Sequence, residues 1–518
     1  MWHVSCPLRL MSMPKIILVL ILILNSILSF AAPVSIAGEA KSFAGKKLVL
    51  YKYDDPYTKF PVEIASTFID SNGNFSISTD IKDIEEVFLR INWITAKMYV
   101  KAGSTYSIVF PGFDGNQLIS FSKEIFVQPD FVDLPPSDPN LLIAKFNLGY
   151  EKFFADHYVE IAKSSNPGSS RFKKSNRNKS QDLMVGNDSL KTNANYKGAS
   201  FSELVLNFSD SVSSLYSDED QFVKDYVKYA LAQLQLSSGI GRKVIFENHL
   251  DNTKLPIFHP EFANFSKSFY YNFFNELEQF RSSSSIRSAI EEYQSIDSLK
   301  SALESSDFCN SDELKSLVSI LGLKESWYKN RYNKSGIRAC LEQLKSAEKS
   351  GWEKSLSDNV LQSVNRRRAG TKPVDVDLLD VAGERITWES FNGEITYISF
   401  MSSWSSTSLE ELALLEKITL NYSRQVNFVV LSLDEDFQNF KDFVSKNHRN
   451  KWTFIYGMSD PFIREKLDVW SLPTFILLSP EGKYINGFEK SPSQGVESSF
   501  YKLLVEDEKQ RKIKVWDD

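Results

Sequence analysis

The residues of this sequence that could do chemistry are its sulfurs and a hydroxyl-rich run, Ser403-Trp404-Ser405-Ser406-Thr407-Ser408. Of the three cysteines, Cys6 precedes an export-type segment and would be discarded with it. Cys309 and Cys340 stand apart and belong to no CxxC pair or metal-type cluster. In an oxidising compartment they could close one structural disulfide, or remain two separate buried thiols. A serine hydroxyl is barely ionised near neutral pH unless a positioned base takes its proton. Among the 5 histidines only His448 falls in the same region as the serine run, beyond a helical stretch, so a Ser–His hydrolytic site is not expected. The plainest reading of the run is a helix start. Ser405 or Ser406 can accept a hydrogen bond from the first-turn amides, and Glu410 and Glu411 then suit the helix dipole.

The elements that must position these residues fall into three regions. In the last one, apolar strands at Thr396–Met401, Val426–Leu433, Trp452–Tyr456 and Thr474–Leu478 alternate with helical stretches at Ser408–Leu420, Asp436–Asn447 and Phe462–Leu467. Such alternation implies an α/β sheet with parallel strands. A Ser479-Pro480-Glu481-Gly482 turn, a short strand Lys483–Asn486 and a helix from about Ser493 to Leu504 complete a mixed sheet.

The first region is all strand. Val34–Gly38, Lys47–Tyr53, Ile64–Ile69, Phe75–Ser78, Val87–Ile91, Lys97–Val100 and Tyr106–Phe110 are rich in β-branched and aromatic residues. Asp70-Ser71-Asn72-Gly73 reads as a hairpin turn, because Asn-Gly readily takes positive φ. Strands at this spacing predict a β-sandwich at 32–125, a docking or structural module. Between 126 and 369 the period turns helical. Ser217 with Asp220 resembles a capping box ahead of Phe222, Tyr226, Ala230 and Leu234, and Gly239 closes that helix. Phe262, Phe265, Phe269, Phe273 and Leu277 form an aromatic stripe that is either core or a hydrophobic ligand groove. Further helices are expected at Asp312–Leu321, Arg338–Lys349 and Asp358–Arg367. Residues 164–200, rich in Ser, Asn, Gly and Lys, read as a mobile loop. Its Arg171, Lys173, Lys174, Arg177 and Lys179 are either solvated or available to anionic lipid or polysaccharide.

With these residues in view, the C-terminal region resembles the TlpA/ResA-type thiol–disulfide oxidoreductases of the Gram-negative envelope. Asp377-Leu378-Leu379-Asp380, Gly383 and Ser390-Phe391-Asn392-Gly393 are similar to that family's opening segment. The strand Tyr397-Ile398-Ser399-Phe400 leads to the Trp404–Ser408 run where the family has Trp-Cys-x-x-Cys, and Leu472-Pro473-Thr474-Phe475 with Pro480-Glu481-Gly482 matches its cis-proline loop and following hairpin. The two preceding regions also look like those found before such domains, and His259-Pro260-Glu261-Phe262 adds to the likeness less specifically. The resemblance implies a thioredoxin-like fold over 370–518. It also implies that Ser405 and Ser408 occupy the cysteine positions, where no disulfide can form. Trp404, Ser405, Leu472 and Pro473 would then line a shallow groove that the family uses to dock an extended polypeptide.

Composition bounds the rest. Hydrophobic content of 42% with 13% aromatics supplies sizeable cores, so the 518-residue chain is globular and multidomain. A net charge of −6 gives no reason to expect nucleic acid. Lys15, the apolar run from Ile16 to Phe30 and the small residues around Ala31 read as a signal peptide at 1–31; an uncleaved anchor is the rival reading. The expectation is a periplasmic chain, soluble or peripherally attached, with no membrane span after cleavage and no cofactor or metal. Its partner would be an envelope protein or extended peptide. Two other functions remain open: a thiol–disulfide oxidoreductase working through Cys309 and Cys340, and an envelope protein that binds carbohydrate or lipid.

Overall fold

The computed structural model describes residues 32–112, 125–158, 160, 200–280, 285–346, 351–447 and 451–505. The expected signal peptide, His448 and the 164–200 loop (Ser200 excepted) lie outside the described residues.

The first region is built from β1 (Ala32–Glu39), β2 (Lys47–Tyr53), β3 (Pro61–Phe68), β4 (Asn74–Ile81), β5 (Ile84–Ile91), β6 (Ile94–Lys101), β7 (Thr105–Val109), β8 (Ile125–Val127) and β9 (Asp130–Phe131). They form two sheets, ordered β4-β1-β7-β9 and β3-β2-β5-β6-β8. Every expected strand is present. In β4 and β7 burial alternates, Phe75, Ile77, Tyr106 and Ile108 pointing into the core that the two sheets share. β5 is buried continuously from Val87 to Ile91 because both faces of its sheet are covered. On the outer face Val49, Tyr51 and Phe88 meet Phe462 of the last region, while Ile84 and Tyr99 meet Phe146 and Tyr226 of the helical one. The Asp70–Gly73 turn forms, with the Asp70 carboxylate accepting from Asn72 N at 2.8 Å and Gly73 at φ +86°. It does not make a hairpin within one sheet, however. β3 pairs with β2 and β4 with β1, so the turn is a corner between sheets.

The helices from Gln221–Ser237 onward enclose one large core, while Pro139–Asp156 and Phe201–Leu215 pack in smaller clusters around Phe146 and Phe153. The aromatic stripe is part of the large core: Phe262, Phe265, Phe269 and Phe273 are buried, with Leu277 packed against them. The stripe is two helices, Pro260–Phe269 and Phe273–Phe280, because the chain breaks at Tyr270–Asn272 with Asn272 at φ +58°. The expected Ser217 capping box is replaced by a simple cap: the Asp220 side chain accepts from Phe222 N at 3.1 Å and starts the helix Gln221–Ser237. His259 caps the helix at Pro260, its Nδ1 accepting from Glu261 N at 3.2 Å. Its Nε2 faces the Phe222 carbonyl at 3.1 Å, so this is a neutral, structural imidazole whose pKa burial lowers to about 4.

The last region is a seven-stranded mixed sheet. Its strands are β10 (Leu378–Leu379), β11 (Arg385–Ile386), β12 (Ile395–Met401), β13 (Val426–Ser432), β14 (Thr453–Tyr456), β15 (Thr474–Leu478) and β16 (Tyr484–Asn486). The order is β11-β10-β14-β13-β12-β15-β16, with β12, β13 and β14 parallel and β15 antiparallel to β12. Helices Ser406–Tyr422 and Phe437–Asn447 and residues 497–505 cover one face, over Tyr397, Phe428 and Phe500. The other face receives a side chain from outside. Trp93, at the turn between β5 and β6, is buried among Ile398, Val429, Ile463 and Val469. Arg464 stacks on that indole with its Cζ 4.3 Å from the ring centroid. Nearby, Arg90 donates to the Pro461 carbonyl at 2.8 Å and pairs with Glu465 at 2.6 Å, between the rings of Tyr51 and Phe462. Burying an indole of this size is worth about 4 kcal/mol. The sandwich is therefore keyed into the mixed sheet.

Candidate functional site

Strand β12 ends in the sheet's interior and hands the chain to Ser402–Ser405, which opens the helix Ser406–Tyr422. Ser403 is held by Asp434, just past β13: the carboxylate accepts from Ser403 N at 2.8 Å and from its hydroxyl at 3.0 Å, and from the Ser432 hydroxyl at 2.7 Å. Asp434 is almost fully buried, and these three donors are what make its charge tolerable there. Nothing in the local sequence pattern marks Asp434 as part of the site.

Ser405 is the N-cap, its Oγ accepting from Ser408 N at 3.3 Å. The Ser408 hydroxyl, wholly buried, donates to the same oxygen at 2.9 Å. Ser405 Oγ lies 3.2 Å from Thr407 Oγ1, which donates to the Leu472 carbonyl at 3.4 Å. With two donors already on the Ser405 oxygen, its own proton is directed at Thr407. The hydroxyls thus form one ordered chain from Ser408 through Ser405 and Thr407 to the backbone beside Pro473. The Leu472–Pro473 peptide is cis. Ser405 has neither an imidazole nor a carboxylate among its hydrogen-bond partners in the described residues. Glu410 and Glu411 are not in the first turn, and Glu411 instead accepts from Ser493 N at 2.9 Å. This arrangement caps a helix and anchors a loop; it offers no group to activate a nucleophile.

Trp404, 56% exposed, precedes the cap, and Leu472 and Pro473 are half-buried. The chain from Ser405 to Leu472 brings the two expected segments together. A cleft of about 470 Å³ opens beside Pro473, but its walls are Trp470, Phe488 and Arg367, not Trp404 or Leu472. Trp470 is fixed by its Nε1 donating to Asp468 at 2.7 Å, and Arg464 lies 5.4 Å from its ring centroid. Because Arg464 also stacks on Trp93, a continuous stack runs from the sandwich to the loop that carries Pro473.

The cysteines lie elsewhere. Cys309 and Cys340 are free thiols in the helical core, 1% and 0% exposed, and no disulfide joins them. Burial pushes their pKa values up to about 12 and about 11 respectively. Thiols so placed are not ionised near neutral pH; Cys340 lies within the core and Cys309 at the wall of a cleft beside Phe308 and Lys315.

The family model described as thioredoxin-like matches residues 393–484, the span from the start of β12 to the start of β16. None of the curated proteins matches the chain. Among solved structures, a thiol-disulfide oxidoreductase from Bacteroides fragilis NCTC 9343 is 24% identical over 26% of this chain and 99% of its own, with a TM-score of 0.22. A thiol:disulfide interchange protein from Bacteroides sp. is 19% identical over 23% of this chain and 79% of its own, with a TM-score of 0.21. A thioredoxin-like protein from Bacteroides caccae ATCC 43185 is 14% identical over 51% of this chain and 92% of its own, with a TM-score of 0.27. The C-terminal region is a thioredoxin-like domain.

Proposed function

We propose that the chain is an exported, redox-inactive thioredoxin-like protein that serves in the periplasm as a binding or scaffolding module. Its partner would be an extended polypeptide of the envelope, docked along Trp404, Ser405, Leu472 and Pro473. One observation supports the reading: Ser408 donates to Ser405 at the helix start, the two positions that the resemblance would give to the redox cysteine pair. Disulfide exchange needs a sulfur to attack and a sulfur to be attacked, and a hydroxyl pair offers neither. Strand-like docking uses backbone groups and apolar surface, which the loss of sulfur leaves in place. The buried state of Cys309 and Cys340 weighs against a second redox centre in the helical region.

Insulin reduction by the full chain tests this directly. Wild type is expected to be inert, and the Ser405→Cys/Ser408→Cys variant to form a disulfide that titrates reversibly against glutathione. Wild-type turnover that disappears in a Cys309→Ser/Cys340→Ser variant would overturn the proposal. For the docking half, Leu472→Asp should reduce recovery of a co-purifying envelope partner without lowering Tm. Equal recovery would move the binding site off the Pro473 loop. Export itself is checked by sequencing the mature N-terminus, expected near Ala32.

A further inference from the structure

The helix Gly351–Asn365 runs out at the junction with the thioredoxin-like domain, and three arginines follow it directly, of which Arg366 and Arg367 are turned away from solvent and Arg368 is exposed. Arg367 stands at φ +55°, a left-handed conformation that glycine or asparagine would hold with less strain. Its backbone is clamped there, because Gly487 packs so closely on the Arg367 carbonyl that any side chain at 487 would clash. The side chain is 95% buried by its 5% exposure, and its Nη2 has no hydrogen-bond partner among the described residues. Arg366 is half-buried over the ring of Phe60, 4.3 Å from its centroid, and its Nε is likewise buried without a partner. The Arg367 guanidinium lies over the Phe488 ring, 4.8 Å from its centroid. Within the described residues neither guanidinium has a carboxylate at ion-pair distance, and Asp468 is the acidic group that acts on both from further away. Burial accordingly draws both below the usual guanidinium pKa.

Both arginines line a cleft of about 310 Å³ together with Lys345, Lys372 and Lys466. Two of these lysines are already neutralised, Lys345 by Asp358 at 2.6 Å and Lys466 by Asp460 at 2.7 Å. Lys372 is 4.0 Å from Glu389, the limit of an ion pair. Glu342 is the remaining carboxylate of the lining. One neutral group in the wall is also unmatched: Asn365 Oδ1 is a buried acceptor with no donor among the described residues.

We propose that this cleft is a binding site for a small oxyanion, a carboxylate or phosphate that also carries a hydroxyl or amine. The forked guanidinium donors and the Lys372 ammonium take the oxyanion, and the ligand's donor meets Asn365 Oδ1. The volume fits a molecule the size of a sugar phosphate or sugar acid and excludes a folded partner. The site is independent of the reading of Ser405 and Ser408.

The test is a thermal-shift and calorimetric titration of the full chain with glucose 6-phosphate, gluconate and inorganic phosphate, with glucose and ionic-strength-matched chloride as controls. A phosphate or hydroxy-acid probe should raise Tm saturably, inorganic phosphate less, and glucose and chloride not at all; the first two arms separate phosphate from carboxylate. Arg367→Met should abolish the shift while leaving the unliganded Tm equal or higher, since it removes a buried charge with no carboxylate at ion-pair distance. Lys372→Gln, at an exposed position, should weaken affinity about tenfold, the equivalent of about 1.4 kcal/mol. The proposal fails if no anion shifts Tm beyond the chloride control, or if Arg367→Met lowers Tm and keeps the shift. Should Arg367→Met not fold, an unchanged affinity in Lys372→Gln overturns it equally.

Discussion

The helical core and the start of the helix Ser406–Tyr422 make opposite use of the same chemistry. The helical core contains the two described thiols, Cys309 and Cys340, buried with their pKa values raised. The helix start has what lowers a thiol pKa, the positive end of a helix dipole, but carries hydroxyls that cap it. Reactivity requires both in one place. Where they are separated, cysteine is a small apolar core residue and the helix terminus is a structural cap.

The largest test of this contrast is thiol access. Cys309 and Cys340 should react with a thiol reagent on the order of a thousandfold more slowly in the native chain than in denaturant, because access requires opening of the core. Rapid native labelling would break the comparison. Next comes acid. Burial lowers the pKa of both His249 and His259 from 6.5 to about 4, so the unfolded chain binds more protons between those values. Their contribution is intact above pH 6.5 and is lost as pH falls towards 4, on the order of 3 kcal/mol for each. Unfolding followed by residue-resolved hydrogen exchange should begin in the helical region, and His259→Asn, which keeps a cap acceptor, should flatten the pH slope. Loss that begins in the thioredoxin-like domain would contradict it. The smallest effects belong to the hydroxyl chain. Ser405→Ala should cost about 1 kcal/mol in denaturant unfolding, the value of a helix cap. Thr407→Val should cost about 0.5 kcal/mol and raise exchange of amides in the Pro473 loop. A loss above about 3 kcal/mol for either would mean the chain holds more of the fold than a cap and a tether do.

Local pattern carried the sequence far. Lys47–Tyr53 and Thr474–Leu478 could be read to the residue, because each is a short, mostly apolar run, continuously buried over four residues, bounded by turn residues on both sides. It failed where two geometries share one pattern. The aromatic spacing through Phe273 stays helical across a break that only the backbone at Asn272 reveals, and the turn at Asp70 looks the same whether its strands pair or part. At the candidate site, the helix cap at Ser405 was legible from the serine run and the cis peptide before Pro473 from the resemblance. Asp434, Trp470 and Arg367 were not, because their roles come from partners far along the chain, and neither periodicity nor spacing encodes such pairs.

The indole of Trp93 has a practical consequence. It supplies part of the thioredoxin-like core from a strand turn nearly three hundred residues upstream, so the C-terminal domain is not a self-contained module. A fragment beginning near residue 370 would carry an open apolar socket between Ile398 and Val469 and an exposed Arg464, and would be prone to self-association. Gene fusions that swap this domain alone between related chains should therefore fail unless the β5–β6 turn travels with it.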